Sequence, residues 1–167
     1  MTPTALRAGR LAGTAVLALW LAACANPARE QPGAQRAEVL QRQGTPTARH
    51  AQPSGERLIY SGQPAGRQVY TLDFDAQGQL LRVEQVLTIE RLQAIPVNTW
   101  TQNDILRHFG PPALVERVAR FEGAVWTYRF DEYKLPRLAH VHIDPAGVVR
   151  QVLFTDEFSV SDDKARS

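Results

Sequence analysis

The chain has 167 residues, 44% of them hydrophobic, with 19 Lys+Arg against 17 Asp+Glu and a single cysteine. That length allows one ordinary domain or two very small ones, and the composition excludes a disordered chain, a collagen and a disulfide-stapled scaffold. Residues 1–23 hold Arg7 and Arg10 and no acid, so their removal leaves 17 charges of each sign and no basic excess of the kind that nucleic acid requires.

Residues 1–23 read as a lipoprotein signal peptide. Two arginines precede an apolar run from Leu11 to Ala23, which ends in the small residues Ala22 and Ala23. A helix over that run rises only about 20 Å, short of the ~30 Å hydrocarbon core, so it is an export signal and not a permanent span. Leu21-Ala22-Ala23-Cys24 resembles the bacterial lipobox, in which the cysteine thiol takes diacylglycerol, the signal is cut before it and the new amine is acylated. The resemblance implies that Cys24 is the lipidated first residue of the mature chain. Ala25 after it, in place of aspartate, implies sorting to the outer membrane, with the body facing the periplasm. Several acyl chains, at about 0.8 kcal/mol per buried methylene, hold a protein durably where one does not. Residues 24–35, polar with two prolines, read as the lipidated tether.

Beyond the tether the sequence repeats itself. Glu38-Val39-Leu40 through Gly44-Thr45-Pro46 aligns with Asp104-Ile105-Leu106 through Gly110-Pro111-Pro112. Tyr60 aligns with Tyr128 in the next strand. Asp75-Ala76-Gln77-Gly78 aligns with Asp144-Pro145-Ala146-Gly147 in a turn. Thr101 with Asp104 makes a helix cap, Ile105, Leu106 and Phe109 give an apolar face, and Gly110 followed by two prolines stops the helix, so it spans about Gln102 to Phe109. A shorter helix precedes it at Thr88–Ile95, ended by Pro96, and has only a weak counterpart ahead of Glu38. The expected fold is α+β: a tandem of two small units, each one or two short helices packed on a three-stranded antiparallel meander. The first unit covers 36–87, the second 88–157, and 158–167 is a flexible polar tail. About 55 residues bury too little surface to be stable alone, so the units are expected to share an interface.

In the strands Tyr70, Leu72 and Phe74 fall on one face, with Val69, Thr71, Asp73 and Asp75 on the other, and Trp126, Tyr128 and Phe130 share a face. His140, His142 and Asp144 alternate on one strand, where i and i+2 side chains can meet one metal ion, which makes them a weak candidate metal site. The matching residues Thr71, Asp73 and Asp75 make this face read as polar and solvated in both copies, and Asp144 belongs to a turn sequence on backbone grounds. His50 and His108 read as surface or packing residues. Asp131-Glu132 sits beside Tyr133-Lys134 in an expected hairpin, where charges are solvated. There is no nucleophile elbow, phosphate loop or dinucleotide fingerprint, so no enzyme activity and no cofactor are expected. Tyr60, Tyr70, Trp126 and Tyr128 read by default as core packing, and they are also the candidate binding surface, because aromatic side chains supply contact area at low entropic cost.

The export signal, lipobox, short tether, helix with Gly-x-Pro, Trp-x-Tyr strand and Asp-x-x-Gly hairpin together resemble the small outer-membrane lipoproteins of the SmpA/OmlA (BamE) family. Gly110, Pro112, Trp126, Tyr128 and Gly147 carry the resemblance, which is strongest over Leu87–Val152. The tandem is similar to the duplicated fold of β-lactamase-inhibitory proteins, whose paired sheets make a concave binding surface. These resemblances imply a non-enzymatic scaffold in envelope maintenance or β-barrel assembly, held to the membrane by its lipid and contacting envelope or barrel-assembly proteins. The alternative is a periplasmic inhibitor or sensor that binds an enzyme through its sheet.

Overall fold

The computed structural model describes residues 26–157; the signal segment, Cys24 and the tail 158–167 lie outside the described residues. A 3₁₀ turn at Pro27–Arg29 leads into helix α1 (Arg36–Gln43) and four strands, β1 (Ala48–Gln52), β2 (Gly55–Ser61), β3 (Val69–Asp75) and β4 (Leu80–Gln85). Two helices follow, α2 (Ile89–Gln93) and α3 (Gln102–Phe109), then β5 (Leu114–Glu116), β6 (Ala124–Glu132), β7 (Leu135–Ile143) and β8 (Val149–Asp156). The strands form two antiparallel sheets in sequence order, β1-β2-β3-β4 and β5-β6-β7-β8. The chain is an α+β tandem of two small units, and each meander has four strands where three were expected. The additional strand opens each sheet. β1 reads Ala-Arg-His-Ala-Gln and β5 has three residues, so neither carries the β-branched or aromatic run that marks a strand in sequence.

Kinship between the halves extends to single hydrogen bonds. The helices α1 and α3 both end at a glycine with positive φ, Gly44 at 75° and Gly110 at 71°, and each glycine N–H reaches back to a leucine carbonyl at 2.9 Å. Tyr60 Oη donates to the Gly44 carbonyl at 3.1 Å, and Tyr128 Oη donates to the Gly110 carbonyl at 2.7 Å. The Arg36 N–H meets the Gly78 carbonyl at 2.8 Å, as the Gln102 N–H meets that of Gly147 at 2.7 Å. Gly55 and Gly123 occupy matching strand starts where a Cβ would lie 2.1 Å from a carbonyl oxygen of the neighbouring strand, so both copies exclude any larger residue there. Only α3 has the full capping box, with the Thr101 N–H donating to Asp104 Oδ2 at 2.8 Å. At α1 Gln35 provides no side-chain cap, and the helix start relies on the tertiary bond to Gly78.

The layers alternate. Val39 and Leu40 of α1 pack on Leu58, Leu72, Phe74 and Leu80 of the first sheet. The opposite face of that sheet, through Ile59 and Val69, joins Leu92, Ile105 and Phe109 of the following helices, and these meet Trp126, Tyr128, Phe130 and Val141 of the second sheet. The period-two assignment of faces in β3 therefore holds, whereas the solvated character expected of Thr71, Asp73 and Asp75 does not: Thr71 and Asp73 are buried and Asp75 is half-buried. The second unit's helices cover a face that a single unit would expose to water.

A second correction concerns the tether. Residues 26–35 lie against the first sheet: Glu30 is buried and accepts from Arg42 Nη2 at 2.7 Å and Gln43 Nε2 at 2.7 Å. The Gly33 N–H donates to the Leu80 carbonyl at 2.7 Å, and Ala34 packs on the α1 cluster. Two prolines and no apolar period conceal this, because the segment is held by its backbone and one buried carboxylate. The units are also clamped at the loop between β2 and β3. Gln63 presents its side-chain amide to the backbone of Arg129, donating to the carbonyl at 2.8 Å and accepting from the N–H at 3.1 Å. It completes the edge of β6 beyond the short β5.

Candidate functional site

The four aromatic residues singled out in the sequence part company. Tyr128 and Trp126 are 0% and 7% exposed and belong to the shared core, so they offer no surface to a partner. Burial pushes the Tyr128 phenol well above its ordinary range. Their strand alternation marks a buried face, and sequence alone does not say whether a helix covers it. Tyr60 and Tyr70 are half-buried at the other end of the molecule, and with Pro27, Gln43 and Gln68 they line a groove of 470 Å³. Burial raises the Tyr60 phenol above its ordinary value.

The two imidazoles do share a face, the outer one of the second sheet. One ring nitrogen of His140 lies 3.0 Å from Thr127 Oγ1 and the other 2.9 Å from Thr155 Oγ1, so hydroxyls occupy both. His142 sets its ring edge-on to Phe121 at 4.9 Å between centroids. The Asp144 carboxylate accepts from the Val148 N–H at 2.9 Å and Arg150 Nε at 2.7 Å, in the turn the sequence assigned to it. Among the described residues no group of three His, Cys, Asp or Glu is placed to share a metal ion. Asp131 and Glu132, expected in the hairpin, are the last residues of β6; Glu132 pairs with Arg137 at 2.6 Å and Asp131 faces Arg67 at 3.6 Å, so these carboxylates are ion-paired surface groups.

Burial holds the imidazoles of His140, His142 and His50 below their ordinary value. For His140 the nearby Glu116 opposes this and His142 adds to it, while Arg107, Arg57 and His108 add to it for His50. The folded state thus prefers neutral rings, and the unfolded chain takes up these protons first, from about pH 6.5 downward. The stability they confer is complete above that value and is lost as pH falls toward the depressed folded-state values. The urea midpoint is expected to be level between about pH 8 and 7 and to drop between about pH 6.5 and 5, less so in His140→Gln.

The polar feature that sequence reading missed is the joint between the units. Asp73 on β3 receives both prongs of Arg57 from β2, Nε to Oδ1 at 2.6 Å and Nη2 to Oδ2 at 2.8 Å, with Arg82 of β4 at 2.9 Å. The third Arg57 nitrogen, Nη1, donates to the Arg107 carbonyl of α3 at 3.4 Å, tying the first sheet to the second unit. A cleft of 310 Å³ opens beside it, lined by Arg57, Arg82, Glu84, Arg91, Trp100 and His108. Its arginines are largely neutralised by Asp73 and Glu84. The same register column in the second sheet reads Val125, His142 and Gln151, so the repeats diverge here: one face became an internal joint and the other stayed outside.

Among the described residues no helix covers that outer face. Leu114 and Leu153 are 51% and 42% exposed, and they flank Leu138, Thr127 and His140. Each of these stands in register where the first sheet has a residue of the joint, as Leu138 stands for Val69 and Leu153 for Glu84.

No family profile matches the sequence, and no curated protein matches it. Among solved structures the chain is similar to a DUF4309 family protein (YjgB) from Bacillus subtilis subsp. subtilis str. 168, at 15% identity over 74% of this chain and 79% of that one, with a TM-score of 0.32.

Proposed function

We propose that the chain is a lipid-anchored lipoprotein of the outer membrane that works by binding, without enzymatic chemistry, as a scaffold component of envelope maintenance or β-barrel assembly. The lipobox at Cys24 and the BamE-like motifs support the location and the setting. One structural observation carries the binding role: of two equivalent sheet faces, the first is filled by the following helices, and the second, among the described residues, carries no helix and exposes Leu114 and Leu153. A partner presenting a short apolar helix would repeat on the second sheet what α3 does on the first. Anchoring raises the effective concentration for neighbours on the same membrane, so weak contacts are enough.

Gentle detergent extraction of the acylated full chain is expected to bring down barrel-assembly subunits. Leu153→Arg should abolish that capture while changing stability by no more than about 0.5 kcal/mol, as surface substitutions do. Capture that survives Leu153→Arg would reject the open face as the binding surface. Capture of a soluble periplasmic enzyme in place of assembly subunits would favour the inhibitor or sensor reading. Cys24→Ser is expected to release the protein from sedimenting membranes, and a serine variant that still sediments in full would contradict the lipid anchor.

A further inference from the structure

We propose that the end of the first unit formed by Asn26, Pro27, Gln43, Tyr60, Gln68 and Tyr70 rests directly on the phospholipid headgroups of the membrane that holds Cys24. This inference rests on the lipid-anchor reading and adds to it which face of the body meets the bilayer.

The first argument is length. A free tether of a dozen residues would let the body stand well away from the membrane. Here Asn26 already belongs to the folded body: its side chain accepts from the Ala28 N–H at 3.1 Å, and residues 26–35 are tied down through Glu30, Gly33 and Ala34. Only Ala25 lies between Cys24 and Asn26, and the two residue steps from one to the other span at most about 7 Å when fully extended. The headgroup layer on one side of a bilayer is of about that thickness, so an acylated Cys24 brings Asn26 to the membrane surface.

The second argument is chemistry. The groove beside Asn26 has no charged residue in its lining, so neither zwitterionic nor anionic headgroups are repelled. The nearest buried carboxylate, Glu30, is neutralised by Arg42. Tyr60 and Tyr70 present ring bodies with hydroxyls already engaged, to the Gly44 carbonyl and to Gln68 Oε1, an amphipathic arrangement suited to the headgroup level. Tyr60 and Tyr70, two of the four aromatic residues named in the sequence as a candidate binding surface, thus acquire a partner, the bilayer, different from the protein partner of the second sheet. Strand β2 runs about 20 Å from Ser61 at this end to the Pro53–Ser54 hairpin at the other, taking ~3.3 Å per residue.

The acylated full chain gives the test, because lipid consumes its own thiol and a single introduced cysteine can be labelled. Gln68→Cys and Ser54→Cys, both exposed positions, each carry a fluorophore in vesicles of phosphatidylethanolamine and phosphatidylglycerol with nitroxide-bearing headgroups. Quenching is expected to be several-fold stronger at 68 than at 54. Flotation of the same samples separates the two readings. Protein that floats with equal quenching at both positions, or with stronger quenching at 54, overturns the orientation and leaves the anchor standing. Protein that fails to float removes the anchor and the orientation with it.

Discussion

Asp73→Ala is expected to cost about 3–5 kcal/mol of folding stability, the range found when one partner of a buried ion pair is removed. The Arg57 side chain, 11% exposed, would keep its charge and lose every acceptor but the Arg107 carbonyl. For a folded body of this size the loss lowers the thermal midpoint by roughly 10 °C or more. Arg82→Ala removes only the exposed partner and should cost about 0–1 kcal/mol. Asp73→Leu with Arg57→Met should recover most of the loss, since a well-packed apolar pair can replace a buried ionic one. Burial works against ionisation of Asp73, but hydrogen bonds from Arg57 and Arg82 outweigh it and hold the carboxyl below its ordinary value. Its stabilisation is therefore present above about pH 3.9 and lost as pH falls below that, so the variant and the parent should converge in strong acid. Urea unfolding at neutral pH and near pH 2 checks both statements. Equal stability of parent and Asp73→Ala at neutral pH would show that the joint is not held by this pair.

Tyr128→Ala should be as costly, about 3–5 kcal/mol, because it empties a fully buried aromatic site. The ring packs beside Phe109 at 6.1 Å between centroids, and its hydroxyl satisfies the carbonyl that ends α3. Tyr128→Phe keeps the ring and strands that carbonyl, at about 1–3 kcal/mol. The repeat supplies an internal control. Tyr60 makes the same bond to Gly44 from a half-exposed position, where water can replace the hydroxyl, and Tyr60→Phe should cost well under 1 kcal/mol, of the order of a single net hydrogen bond or less. Denaturant unfolding of the two Phe variants side by side measures the difference, and equal losses would mean that the two bonds are not distinguished by burial.

Several local features were legible before any coordinates. The span of α3, its Thr101–Asp104 cap and its glycine stop follow from propensity and capping, which act within one turn of chain. Thr88 caps α2, which ends within the expected segment. The duplication was visible because Gly44 and Gly110, or Gly78 and Gly147, sit where only a residue tolerating positive φ will do. The extra strands were hidden, since β1 and β5 form by pairing with the stronger β2 and β6 and not by their own preference. The docked segment at 26–35 was hidden for the same reason: the backbone bonds of Gly33 and Ala34 go to Leu80, far along the chain.

Of the candidate sites, the sequence marked the aromatic and histidine positions but not their use. Strand period puts Tyr128 and Trp126 on one face and His140 and His142 on the other, and it is indifferent to which face is covered. Arg57, Asp73 and Arg82 lie 16 and 9 residues apart with no motif between them, and only β-register makes them neighbours.

What the sequence by itself determined is what short-range physics controls: the secondary elements with strong caps and turns, the α+β tandem, and the pairing of each strand residue with a face. What the tertiary structure alone decided is which faces the two units turn toward each other. Stacking the second unit's helices on the first sheet buries Thr71 and Asp73 and leaves the equivalent His140 and His142 half in water, so that identical strand patterns become a joint in one copy and an open surface in the other. Burial is a property of the neighbour, and a repeating strand pattern does not record which copy has one packed on it.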